Sequence, residues 1–226
     1  MIYYIADMHF GHKNAIRFDH RPFPDTDYMD EYMIQSWNGR VTEDDTVYVL
    51  GDAFWKNEEN NVKILQRLNG HKHLIKGNHD RVQGRLRFHW ESIRDYAEIN
   101  DNDRLVILSH FPIPFYKNQH YGSIMLYGHV HITKEWKVLE RWKQELRDKG
   151  IPCRMFNVGC MTEYIAYNVN YNLFSRVLGG SLTSAETDVQ RRCLLRQYHC
   201  RTSARIGPTI RCLLRQIPRD ITKKTP

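Results

Sequence analysis

No stretch of the 226 residues approaches the roughly 20 consecutive apolar residues that a membrane-spanning helix requires, so an integral helical membrane protein is excluded. The opening run Met1-Ile2-Tyr3-Tyr4-Ile5-Ala6 reads as a strand and lacks the basic and long apolar regions of a secretory signal. Cysteine is scarce: five residues, an odd number at irregular spacing, exclude a disulfide framework and point to a reducing, cytoplasmic setting. What the chain does have is apolar material. It is 41% hydrophobic and 12% aromatic, enough for a packed core and too much for a disordered or collagen-like chain. The length suits one ordinary globular domain with an appendage.

The net charge of +7 invites a nucleic-acid reading, but its distribution argues otherwise. Eleven of the 33 bases and three of the 26 acids lie in residues 168–226, which leaves 22 bases against 23 acids in residues 1–167. The basicity belongs to the tail. There arginine displaces lysine, aromatics thin out, and Arg-Cys-Leu-Leu-Arg-Gln occurs at 192–197 and again at 211–216. Two copies are too few for a solenoid. Residues 168–226 are expected to form a disordered or loosely helical basic tail. The alternative is an arm for RNA, DNA or an acidic membrane surface.

Residues 1–167 alternate short apolar runs of strand length with polar, helix-patterned segments. Ile2–Ala6, Thr46–Leu50, His73–Lys76, Leu105–Leu108, Ile124–Tyr127 and Met155–Val158 read as strands. Asp27–Trp37, Asn61–Leu68 and Glu135–Lys149 carry apolar residues at helical spacing, with Asp25 or Thr26 as a cap for the first. Strands interleaved with helices predict a layered mixed α/β domain.

Five of these strands end on residues of metal-ligand type. They run into Asp7-Met8-His9, Gly51-Asp52, Gly77-Asn78-His79-Asp80, Ser109-His110 and Gly128-His129-Val130-His131. Ligands gather outside the carboxyl ends of strands in sheets flanked by helices. Each piece alone is commonplace. An Asp-x-His pair occurs by chance, a histidine after an apolar strand is more often a hydrogen-bonded core residue, and Gly-Asp is a turn dipeptide. The whole set, each member at a strand end, is not.

This run of motifs resembles the calcineurin-like metallophosphoesterase superfamily over residues 1 to about 165. The block Asp7-Met8-His9-Phe10-Gly11-His12-Lys13-Asn14, followed by Arg21-Pro22-Phe23, is similar to a small single-domain bacterial or phage branch. The resemblance implies an α+β, four-layer αββα sandwich with two central sheets and a binuclear metal site at the strand C-terminal ends. Carried over by position, Asp7, His9, Asp52 and His131 hold the first ion. Asp52 bridges to a second ion held by Asn78, His110 and His129, and His79 faces the substrate as general acid to a metal-bridging hydroxide. Nitrogen and oxygen ligands without thiolate suit two divalent ions such as Mn, Fe, Zn or Ni and disfavour an iron–sulfur cluster. The implied activity is hydrolysis of a phosphomonoester or phosphodiester, a nucleotide among the candidates. Two alternatives stand beside it: a nuclease guided by the basic tail, and a catalytically silent scaffold of the same fold. The sequence leaves the oligomeric state open. The chain departs from the protein Ser/Thr phosphatase pattern at Ala53, where that branch has a second Asp, and at Asp80, where it has Glu.

Few residues separate the blocks, so no large cap domain is expected and the cleft should be open. His12 and Arg17 follow the first ligand pair closely enough to reach a substrate phosphate. Phe54, Trp55, Phe115, Tyr116 and Tyr121 are candidates to stack on a base or ring, although most such aromatics belong to cores. Cys153 and Cys160 read as small buried hydrophobes.

Overall fold

A computed structural model describes residues 1–131 and 133–160. The basic tail, and the question of its folding, lie outside the described residues. Eight strands form two sheets of four. The first is wholly parallel, in the order β1 (Ile2–Ile5), β2 (Thr46–Val49), β3 (His71–Ile75), β4 (Ser92–Arg94). The second runs β5 (Tyr96–Asp101), β6 (Arg104–Ser109), β7 (Ile124–Tyr127), β8 (Met155–Asn157) and is parallel except for the β5–β6 hairpin. The α-helices among the described residues are α1 (Lys13–Phe18), α2 (Thr26–Asn38), α3 (Glu58–Arg67) and α4 (Lys134–Asp148).

The strand period of two decides the layering, because alternate side chains leave opposite faces of a sheet. Tyr3, Ile5, Val47, Val49 and Leu74 pack with Met29, Met33 and Trp37 of α2 and Ile64 and Leu65 of α3. Their neighbours Tyr4, Ala6, Leu50 and Ile75 face the other way and meet Val106, Leu108, Ile124 and Leu126 of the second sheet. Ile107, Met125, Tyr127 and Met155 then face outward towards Leu139 and Trp142 of α4. The order helix, sheet, sheet, helix is the expected four-layer αββα sandwich. Its inner strands are apolar on both faces, as strands covered on both sides must be.

The helices have local causes. The Asp25 carboxylate accepts from the Tyr28 N–H at the start of α2, and Asn57 does the same for Asn60 in α3. Helix α2 runs one residue beyond the predicted Asp27–Trp37 at each end, and α4 lies one residue before the predicted Glu135–Lys149. Helix α3 begins three residues before the predicted Asn61, because Asn57 caps it there. Strands β4 and β5 and helix α1 lay outside the sequence expectation. The β5–β6 turn uses Asn102 and Asp103 at φ 49° and 59°, a mirror-image turn whose twist suits a two-residue hairpin.

The two sheets are stitched together at the end where the ligand-type residues emerge. The Ala6 N–H donates to the Val158 carbonyl at 3.0 Å, and the Cys160 N–H donates to the Ala6 carbonyl at 2.9 Å. Beyond β1 and β2 the chains stay paired. Asp7, His9 and Phe10 donate their N–H groups to the carbonyls of Gly51, Asp52 and Ala53 at 2.9–3.0 Å.

Candidate metal centre

Four residues beyond the strand ends, Asp7, His9, Asp52 and His129, adopt left-handed backbone at φ 56°, 51°, 53° and 64°. Each such non-glycine residue costs on the order of 1–3 kcal/mol, and such strain collects at functional sites. Here the left-handed residues turn the chain sharply beyond the strands, while Asp7 and His9, two residues apart, keep the common face that strand alternation gives them. Asp7 and His9 are both directed into the site while Met8 between them is buried in the core under α2.

Two groups result. Ligand atoms of Asp7, His9 and His131 lie within 4.8 Å of one another, as do those of Asp52, His110 and His129. Asn78 joins the second group: its Oδ1 is 3.0 Å from His110 Nε2 and 2.9 Å from His129 Nδ1. Donor atoms about 2.1 Å from an ion and at right angles around it lie about 3 Å apart, so these three fit one cation. A single carboxylate lies between the groups. Asp52 Oδ2 is 3.5 Å from His110 Nε2 and 3.9 Å from His9 Nε2.

Neighbouring groups fix the free nitrogens. The His110 Nδ1–H donates to the Leu50 carbonyl at 2.8 Å, which leaves Nε2 towards the site. His131 Nδ1 is 2.8 Å from the Asp19 carboxylate, with the same consequence. The Asp7 carboxylate accepts from the His129 N–H at 3.0 Å, and Asp52 Oδ1 accepts from the His79 N–H at 2.9 Å. Asp80, the end of its motif, is a brace: its carboxylate accepts from the N–H groups of Asp52, Ala53 and Gly77 at 2.8–3.0 Å.

The electrostatics fit cations. Burial pushes the Asp7 carboxyl up to about 6, against the pull of His131 and His110. Burial opposes charge on His110 and His131 as well, yet hydrogen bonds to Asp52 and Asp19 hold both above the ordinary histidine value. Burial and the Arg21 charge hold His9 well below it, and its Nδ1 has no hydrogen-bond partner. Buried carboxylates thus stand beside imidazoles that they favour in the protonated form, in the two groups where a cation would sit. A cation there relieves the Asp7 burial penalty and displaces those protons.

The chain matches the calcineurin-like phosphoesterase family model over residues 1–167. It belongs to that family. The phosphoesterase is 35% identical over 132 residues to the uncharacterized protein MJ1445 of Methanocaldococcus jannaschii, covering 58% of this chain and 69% of that one. It is 26% identical over 162 residues to the Gene 66 protein of Mycobacterium phage L5, covering 57% and 76% respectively. Among solved structures, the protein of unknown function AQ665 from Aquifex aeolicus shares the fold with a TM-score of 0.57 at 23% identity, covering 73% of this chain and 92% of that one. The small branch suggested by the first motif block agrees with the phage relatives. No helix among the described residues is long and apolar enough to cross a membrane.

All eight residues of the expected metal and acid set, Asp7, His9, Asp52, Asn78, His79, His110, His129 and His131, gather at this edge. His79 stands against Trp55, ring centroids 4.8 Å apart, and 6.0 Å from His9. His12 stacks on the same indole at 3.8 Å and 11°. Arg17 is exposed on α1, its guanidinium 4.9 Å from the Phe18 ring. Of the five aromatics singled out, Trp55 is the one with ring contacts to site histidines among the described residues, and Tyr121 is 90% exposed. Trp55 is 46% exposed. Phe54 is buried against Phe10, Phe115 packs on Trp142, and the Tyr116 hydroxyl accepts from the Arg154 N–H. Sequence reasoning missed Phe111, 48% exposed and 4.5 Å from the His129 ring, although its place directly after His110 was a signal. It also missed Asp19 and the burial of Arg21, whose guanidinium donates to the Asp7 and Met8 carbonyls and to Asp19. Cys160 is half-buried with its thiol pushed up to about 12 by burial.

Proposed function

We propose that the phosphoesterase works with two divalent ions, Mn being the first choice and Fe, Zn or Ni the alternatives. Asp7, His9 and His131 hold one ion, and Asn78, His110 and His129 hold the other. Asp52 bridges them. The observation that carries this reading is the Asp52 Oδ2 atom, within 3.9 Å of imidazole nitrogens from both groups. Bound there, two such cations supply the Lewis acidity that makes a water nucleophilic near neutral pH and neutralises phosphoryl charge.

The protein's own groups do the rest. The ester phosphate binds over the two ligand groups, with His12 and, from the exposed surface of α1, Arg17 as its further contacts. Trp55 lies against both His12 and His79 and so limits where those imidazoles can move. His79, whose backbone N–H is tied to Asp52 while its ring is not a member of either group, gives a proton to the departing alkoxide. Phosphomonoesters and phosphodiesters, nucleotides among them, are the proposed substrates, and the protein works in the cytoplasm.

Full-length protein loaded with Mn²⁺, Ni²⁺ or Zn²⁺ is expected to hydrolyse p-nitrophenyl phosphate or bis(p-nitrophenyl) phosphate. Asn78→Ala and Asp52→Asn should abolish turnover with the fold intact. Undiminished turnover in Asp52→Asn would remove the two-ion reading.

A further inference from the structure

Arg21 is a buried cation outside both ligand groups, and every nitrogen of its guanidinium is engaged. Nη2 donates to the Asp7 carbonyl at 3.0 Å and Nη1 to the Met8 carbonyl at 2.8 Å. Nε and Nη2 donate to Asp19 Oδ2 at 3.0 and 2.8 Å. The other Asp19 oxygen, Oδ1, receives His131 Nδ1 at 2.8 Å. One side chain therefore reaches two members of the first group, Asp7 through its carbonyl and His131 through Asp19. It grips the backbone of Asp7 and Met8, between the left-handed residues Asp7 and His9, and it holds through Asp19 the imidazole of His131, 110 residues further on.

Among the described residues no hydrogen bond joins Arg21 or Asp19 to the second group, which meets the clamped segment where the His129 N–H donates to the Asp7 carboxylate at 3.0 Å and the His9 N–H to the Asp52 carbonyl at 2.9 Å. His110 is oriented by the Leu50 carbonyl and Asn78, and the Asp52 and Gly77 loops by Asp80. A buried guanidinium–carboxylate pair is weak evidence for stability, because desolvation offsets its attraction. A positioning duty accounts better for its place. A planar fork with five donors can hold two carbonyls and a carboxylate in one fixed relation, which an ammonium cannot do.

We propose that Arg21 and Asp19 are positioning residues dedicated to one of the two ions, the one held by Asp7, His9 and His131, and that the other ion is retained without them. This rests on the two-ion reading above.

The test is metal counting on full-length variants, with a spectroscopic readout. Wild type, Asp19→Asn and Arg21→Lys are stripped with chelator, titrated with Mn²⁺, counted by elemental analysis and examined by electron paramagnetic resonance. Wild type should take two ions and give the spin-coupled spectrum of a close Mn²⁺ pair. Each variant should retain one ion at unchanged affinity, bind the second roughly 10–100-fold more weakly, and show an isolated six-line Mn²⁺ signal at one equivalent. Asp19→Asn keeps an oxygen for the imidazole and Arg21→Lys keeps the charge, so if one variant fails to fold the other decides. Two ions at wild-type affinity in a folded variant overturn the proposal. So does loss of both ions together from a variant with a native circular dichroism spectrum. Fewer than two ions in wild type overturns the two-ion reading and this inference with it, which separates the two failures.

Discussion

Gly77 offers a sharp perturbation of the site. A Cβ added there would stand 2.2 Å from Asp52 Oδ1, 2.6 Å from the Asp52 nitrogen and 2.9 Å from Asp52 Cγ. The Asp52 carboxylate and its backbone must retreat by about 1 Å in Gly77→Ala, while the Asp80 carboxylate holds both segments in place. Overpacking of this kind costs about 1–3 kcal/mol, or roughly 2–10 °C in melting temperature for a chain of this size. A 1 Å misplacement in an active site can cost about 100-fold in rate. Gly77→Ala is therefore expected to melt modestly lower and to lose about two orders of magnitude in kcat for p-nitrophenyl phosphate with Mn²⁺. Gly150→Ala, just after α4 and with nothing within 4 Å of the added Cβ, is the control. Its φ of +69° costs about 1–2 kcal/mol, so stability falls while kcat stays. Wild-type kcat in Gly77→Ala, or an equal loss in Gly150→Ala, would refute the claim that the position of Asp52 sets the rate.

His79→Ala should reduce turnover by roughly 10²–10⁴-fold for a poor alkyl leaving group and far less for p-nitrophenolate, which leaves without a proton; an equal loss on both substrates, measured by steady-state kinetics, excludes a general acid. In the ion-free protein Asp7 binds its proton more tightly when folded than when unfolded, so its contribution is full below about pH 3.8 and is lost as pH rises through about 6. Asp7→Asn should then leave chelated protein as stable as wild type at pH 7, or more stable by on the order of 1–3 kcal/mol, while weakening metal binding; a lower melting temperature would count against it. Metal uptake near pH 6 should release protons from Asp7, His110 and His131, seen by calorimetry in buffers of different ionisation enthalpy, and uptake without release contradicts the proton-for-cation exchange. Trp37→Ala, outside both ligand groups and buried with its Nε1 donating to the Asn69 carbonyl at 3.0 Å, should cost about 3–5 kcal/mol with kcat per folded molecule unchanged.

The strands and helices that organise the site were legible because each carries its own signal: an apolar run that ends on a ligand-type residue, or an apolar stripe at helical spacing behind an Asp or Asn cap. Strand β4, with the single apolar residue Ile93 in its three, owes its existence to pairing with β3 and has no signal of its own. The eight residues that meet at the sheet edge could be picked out because each directly follows a strand or belongs to a compact motif. The network behind them could not. Asp19 matters because the fold brings His131 to 2.8 Å from it, and Arg21 matters because it is buried. Both facts exist only in three dimensions. Likewise the aromatics were sorted by burial: Phe54 and Trp55 are adjacent in sequence, yet one belongs to the core and the other to the cleft.

The central claim is tested most directly by anomalous diffraction from crystals of the full-length protein soaked with Mn²⁺. Two peaks are expected about 3.5–4 Å apart, one among Asp7, His9 and His131, the other among Asn78, His110 and His129, with Asp52 touching both. A single peak, or a pair that leaves Asp52 unligated, would contradict it.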